Sequence, residues 1–101
     1  MLSYLGLAAR GRRIASGEFS VEKAVKAMRA SLVIIAGDAS ENTRKKFTNM
    51  CEFYEVPCFV CENRDSLGKA IGCGDRTTVA ILDQGLADAV RKLMAVSTAA
   101  Q

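Results

Sequence analysis

Any chemistry in this chain has to come from four cysteines, eleven carboxylates and fourteen basic side chains, because it contains no histidine. The commonest general base and metal ligand at neutral pH is therefore missing. Cys58 and Cys61 have the Cys-x-x-Cys spacing of zinc knuckles and redox motifs. Their context, VPCFVC, reads as a buried strand, in which residues three apart point to opposite faces and the sulfurs diverge. A redox pair would instead open a helix. Cys51, Cys58, Cys61 and Cys73 are read as small apolar residues, with no metal or cofactor expected. Asp38 and Asp83 each follow a candidate strand, a common place for catalytic carboxylates. Neither has a nucleophile or acid–base partner in view, so a hydrolase built on them is the third of three readings and no catalytic residue is assigned.

What remains is anion binding. Residues 1–29 hold six basic and two acidic side chains, whereas residues 30–62 hold three and five. Scattered lysines and arginines usually mean a solvated surface; a basic first third can also be a polyanion patch. Two places suit a ligand. Gly17 precedes a helix whose first amide protons are free for an anion. Leu32–Lys46 runs from five apolar residues through the turn Gly37–Ala39 into a helix capped by Ser40, with Glu41 in its first turn and Arg44, Lys45 and Lys46 following.

These places need elements to hold them. A short helix over residues 2–9 ends at Gly11, and residues 12–16 form a strand. A second helix, Glu18–Arg29, buries Val21, Ala24, Val25 and Met28 at i, i+3, i+4 and i+7. Leu32–Ala36 is a strand covered on both faces. A third helix buries Phe47, Met50, Cys51 and Tyr54 and stops before Pro57. A strand over Cys58–Cys61 leads to a short helix capped by Asp65 or Ser66. A glycine-flanked loop, residues 72–76, leads to a strand over Thr77–Leu82. The last helix packs Leu86, Ala89, Val90 and Leu93 inward, with Asp88 and Lys92 as a surface pair and fraying expected from Ser97 on. Alternating short strands and amphipathic helices call for one α/β domain with a sheet between helical layers. No apolar run reaches the roughly 18 residues of a membrane span. The arginines follow the first apolar segment rather than preceding it, so no secretory signal is read and a cytoplasmic location is expected.

Five stretches, in order, carry a resemblance: Leu5–Gly11 (LGLAARG), Ile14–Gly17 (IASG), Leu32–Thr43 (LVIIAGDASENT), Cys51–Pro57 and Leu67–Gly72 (LGKAIG). Together they resemble the ribosomal-protein family of L7Ae and L30e type that binds kink-turn RNA, above all its bacterial YlxQ branch. The resemblance implies a three-layer α/β/α sandwich with a four-stranded mixed sheet. It implies binding of a bent RNA stem whose bulge adjoins tandem G·A pairs. The family signature Gly-x-Asn-Glu-x-x-Lys falls on Gly17–Lys23: Gly17 and Lys23 match, Glu18 fills the variable place, and Phe19 and Ser20 stand where the family has Asn and Glu. Two side chains that read G·A pairs are thus replaced. Phe19 either stacks on an unpaired base or packs into the core. By the same resemblance Ile71 covers a flipped-out nucleotide, beside Gly72. Arg76 contacts phosphate or stacks, unless it is a solvated loop residue. Asn42 and Arg44 reach base edges or phosphates.

The leading expectation is therefore a non-enzymatic binder of structured RNA, kink-turn-like or stem–internal loop–stem, in the ribosome or another ribonucleoprotein. The alternative is an adaptor that holds a protein partner on the same face, through an apolar patch of Phe19 and Ile71 bordered by charge.

Overall fold

The computed structural model describes the backbone of residues 1–99 and the side chains of residues 1–94. The chain folds as α1 (Leu2–Arg10), β1 (Ile14–Ser16), α2 (Glu18–Lys26), β2 (Leu32–Ile35), α3 (Glu41–Phe53), β3 (Cys58–Val60), α4 (Arg64–Ala70), β4 (Thr78–Ile81) and α5 (Gln84–Ala99). Ser97–Ala99 thus stay helical, and the fraying expected of Ala100 and Gln101 lies outside the described residues.

The four strands form one mixed sheet in the order β1-β4-β2-β3. β4 runs antiparallel to both β1 and β2, and β2 runs parallel to β3. Every residue of β2 and of β4 is buried, as expected of strands sandwiched by helices. α2 and α3 pack side by side, α1 packs on α4 and α5, and the sheet lies between. The core runs through this middle layer from Leu5 and Val21 to Phe47, Leu67 and Val90.

Four sequence expectations change. α2 ends three residues early, and Met28 is 72% exposed rather than core. The cause is a turn closed by Met28 N–H to Val25 O and Arg29 N–H to Ala24 O (3.0 and 2.9 Å), which puts Met28 at φ 61°. That is a Schellman cap with methionine in the place glycine usually takes. α1 and α3 end the same way, on Arg12 (φ 58°) and Glu55 (φ 58°). In α5, Ala87 and Val90 are buried while Leu93 is 40% exposed, so the helix is rotated from its expected phase. Asp88 accepts from Gln84 Nε2 (2.8 Å) instead of pairing with Lys92. Finally, Asn63 caps α4, its side chain accepting from Ser66 N–H at 2.8 Å.

Candidate nucleic-acid interface

Because β4 runs against its neighbours, the carboxyl ends of β1, β2 and β3 share one rim of the sheet with the amino end of β4. The starts of α2, α3 and α4 and the loop before β4 therefore gather at that rim. Asp83, which follows β4, lies at the opposite end from Asp38, which follows β2. Both carboxylates hold structure together. Asp38 Oδ1 accepts from Arg64 N–H (2.9 Å), with the Arg64 guanidinium 3.6 Å from its other oxygen. Asp83 Oδ1 accepts from Leu86 N–H (3.0 Å), and Arg13 lies 3.7 Å from Oδ2. The paired-carboxylate reading is thereby overturned: the two groups cannot share a substrate.

The rim is tied together by Glu18. Its Oε2 accepts from the hydroxyls of Thr43 in α3 and Thr77 before β4, each at 3.4 Å. Thr43 N–H in turn donates to Ser40 Oγ (3.1 Å), the cap anticipated for α3. Gly17 sits at φ 87°, ψ 156°, a backbone region essentially reserved for glycine. Beyond it Phe19 stands 81% exposed, which excludes the core-packing alternative. Ser20 and Lys23 are exposed on the same helix, and Lys23 forms no ion pair among the described residues.

The loop after α4 is held on two sides. Ile71 is half-buried against the core as the C-cap of α4, with Gly72 at φ 76° behind it. Gly68 touches the far side of the same loop so closely that an added Cβ would lie 2.1 Å from Gly74 O. The Arg76 guanidinium donates to Ser16 Oγ (3.3 Å) and to the carbonyls of Gly74 and Asp75 (3.3 and 2.9 Å). Arg76 thus clasps the loop to β1 rather than standing solvated.

A profile of the ribosomal protein L7Ae/L30e/S12e/Gadd45 family matches residues 1–91. The chain belongs to this family. It is 46% identical over 90 residues to the RNA-binding protein YlxQ of Bacillus subtilis, covering 89% of this chain and 90% of that one. It is 33% identical to the RNA-binding protein YlxQ of Enterococcus faecium, over 92% of this chain and 89% of that one. A structure of a protein of unknown function from Bacillus halodurans superposes with a TM-score of 0.84 at 44% identity, covering 93% and 92% of the two chains. The Giardia lamblia 15.5kD RNA binding protein superposes with a TM-score of 0.82 at 27% identity, covering 93% and 84%.

On the family fold the residues singled out from sequence fall into two groups. Gly17, Glu18, Phe19, Ser20 and Lys23 share the start of α2, and Glu18 joins them to the loop that carries Gly72 and Arg76. Asn42 is exposed at the start of α3. Arg44 points elsewhere. It lines a hollow with Thr48 and Val60 on the β3 flank of α3, half-buried, with its Nε lacking a hydrogen-bond partner. On the opposite flank, facing α2, Lys46 meets Glu22 at 2.7 Å. Glu22 also pairs with Lys26 at 2.8 Å, and the two ammonium groups, Lys26 first, hold its carboxyl down to about 2.

Basic charge is likewise divided. Arg12, Arg13 and Arg29 lie beyond the other end of the sheet, before β1 and β2, so the basic first third of the sequence is not one patch. Thr43, Thr77 and Gly68 support the rim and were not legible beforehand. Thr43 and Thr77 meet Glu18 across 25 and 59 residues of chain, and no local pattern announces that.

Proposed function

We propose that this protein binds structured RNA at the rim and catalyses no reaction. The observation that carries the reading is Phe19, 81% exposed beside the unpaired Lys23 at the opening of α2. A large apolar ring costs free energy in water and gains it when stacked on a base, by about 1–3 kcal/mol. Lys23 then supplies a phosphate or guanine contact. Gly17, without a side chain and with nothing within 4 Å of where one would start, lets an RNA backbone approach the first amides of α2.

The names of the relatives, RNA-binding proteins in three of the four cases, favour the same reading. The RNA we infer is a stem interrupted by an internal loop, kink-turn-like, within a cytoplasmic ribonucleoprotein such as the ribosome. Phe19 and Ser20 shift its reading from edge hydrogen bonds toward stacking, with Ile71 and Gly72 bordering the displaced nucleotide. Asn42 forms the outer margin.

Fluorescence anisotropy against an internal-loop stem and an uninterrupted duplex tests this. Phe19→Ala should weaken internal-loop binding about 5- to 150-fold, as loss of one stacked base implies. Lys23→Ala should lower the salt slope of log K by about one. Equal binding of both RNAs, or a Lys23→Ala variant that binds like the parent at all salt concentrations, would refute the assignment.

A further inference from the structure

β1 is an outer strand of the sheet, paired only with β4. Its register fixes which backbone groups are used. Gly17 N–H donates to Thr78 O at 3.0 Å and Leu82 N–H donates to Arg13 O at 2.8 Å. The hydrogen-bonded partners are therefore Arg13–Leu82, Ala15–Ala80 and Gly17–Thr78, and alternation turns the N–H and C=O of Ile14 and Ser16 outward. None of these four groups has a hydrogen bond elsewhere among the described residues.

Beside this open edge runs a groove of about 460 Å³, roofed by Phe19, Ser20 and Lys23 of α2 and reaching Arg29 at its far end. Lys23 and Arg29 are exposed and form no ion pair among the described residues, so the groove carries uncompensated positive charge.

We propose that the groove receives an extended acidic peptide, which adds as a fifth strand beside β1. Ile14 and Ser16 present donors and acceptors in alternation, which a peptide backbone answers in kind. A phosphodiester backbone would set its anionic oxygens against the two carbonyls. Alternate side chains of the added strand lie beneath α2, where carboxylates meet Lys23 and Arg29. This inference does not rest on the RNA reading, although the groove shares Phe19, Ser20 and Lys23 with the rim.

Amide hydrogen exchange by NMR on the full chain tests it, with a synthetic peptide alternating Glu and Val and a control alternating Lys and Val. In the free protein Ile14 and Ser16 amides should exchange fast and those of Ala15 and Gly17 slowly. Saturation with the Glu–Val peptide should slow Ile14 and Ser16 by more than tenfold. Arg29→Glu should weaken the peptide about five- to tenfold, as reversing one exposed pair implies. Ser16→Pro should abolish the Ile14 protection, while slow exchange at Ala15 shows that β1 remains folded. The proposal is overturned if the Glu–Val peptide protects neither amide, or if the Lys–Val peptide binds as well. It is equally overturned if single-stranded RNA, rather than the peptide, protects Ile14 and Ser16.

Discussion

Gly68 offers a test in which two effects of known size oppose one another. It lies inside α4, where alanine is favoured over glycine by about 0.8–1.0 kcal/mol. Helix propensity alone therefore makes Gly68→Ala stabilising. The structure gives the opposite sign. An alanine Cβ would meet Gly74 O at 2.1 Å, Gly74 C at 2.6 Å and Asp75 N at 3.1 Å, all of them backbone atoms. No rotamer change relieves a backbone contact, so the loop before β4 must retreat by about 1 Å or more. Overpacking of this kind costs about 1–3 kcal/mol, and the upper half of that range applies where nothing flexible gives way. The net expectation is a loss of about 1–2 kcal/mol, or a Tm lower by about 4–16 °C for a domain of this size. Thermal unfolding followed by circular dichroism measures it, with Gly6→Ala as control. There the Cβ would lie 3.2 Å from Ala70 O, close enough only to cancel the helical gain. Because the displaced loop carries Gly72 and Arg76, RNA affinity should fall as well. A Gly68→Ala protein that melts at or above the parent temperature would refute the close-packing argument.

Three more outcomes follow from geometry. Met28→Gly should raise Tm by about 2–8 °C, because the left-handed backbone at Met28 costs about 1–2 kcal/mol, glycine's extra unfolded freedom offsets about half of the gain, and the exposed side chain packs on little. Thr78→Val should stabilise by about 1 kcal/mol in urea unfolding, since its hydroxyl is fully buried in β4 without a hydrogen-bond partner. Glu22 is held down to about 2 in the folded chain by Lys26 and Lys46, so its pairing stabilises fully above about 4.5 and is lost as pH falls through about 2. Melts between pH 2 and 5 should therefore show a shallower acid decline for Glu22→Gln than for the parent.

The sequence revealed what local chemistry controls. The apolar run Leu32–Ala36 is wholly buried, Ser40 caps α3, and the alternation of helices and strands gives the observed order. It misled where a long-range choice overrides a local pattern. Met28 continues the apolar spacing of α2, yet the chain must turn there to enter β2, and it does so at a residue type that seldom adopts φ 61°. Leu93 fits one apolar stripe of α5, but Ala87 and Val90 set the face that meets the sheet. At the rim, the resemblance marked Gly17, Lys23 and Ile71, whereas the strut from Glu18 to Thr43 and Thr77 depends on strand order alone. Arg44 shares a helical turn with Thr43 and still emerges on the opposite flank, because 100° of helix rotation separates neighbours.

The position of β4 has a consequence for how the protein is made. β1 pairs with nothing else, and β2 meets β1 only through β4, although β4 is the last strand to be synthesised. A growing chain can therefore dock β2 on β3 early, but its first strand stays unattached until Ile81 has emerged. Such distant pairings slow folding and prolong the exposure of apolar segments. A chain cut short before β4 is thus left with an open half-sheet whose apolar face lacks its central strand.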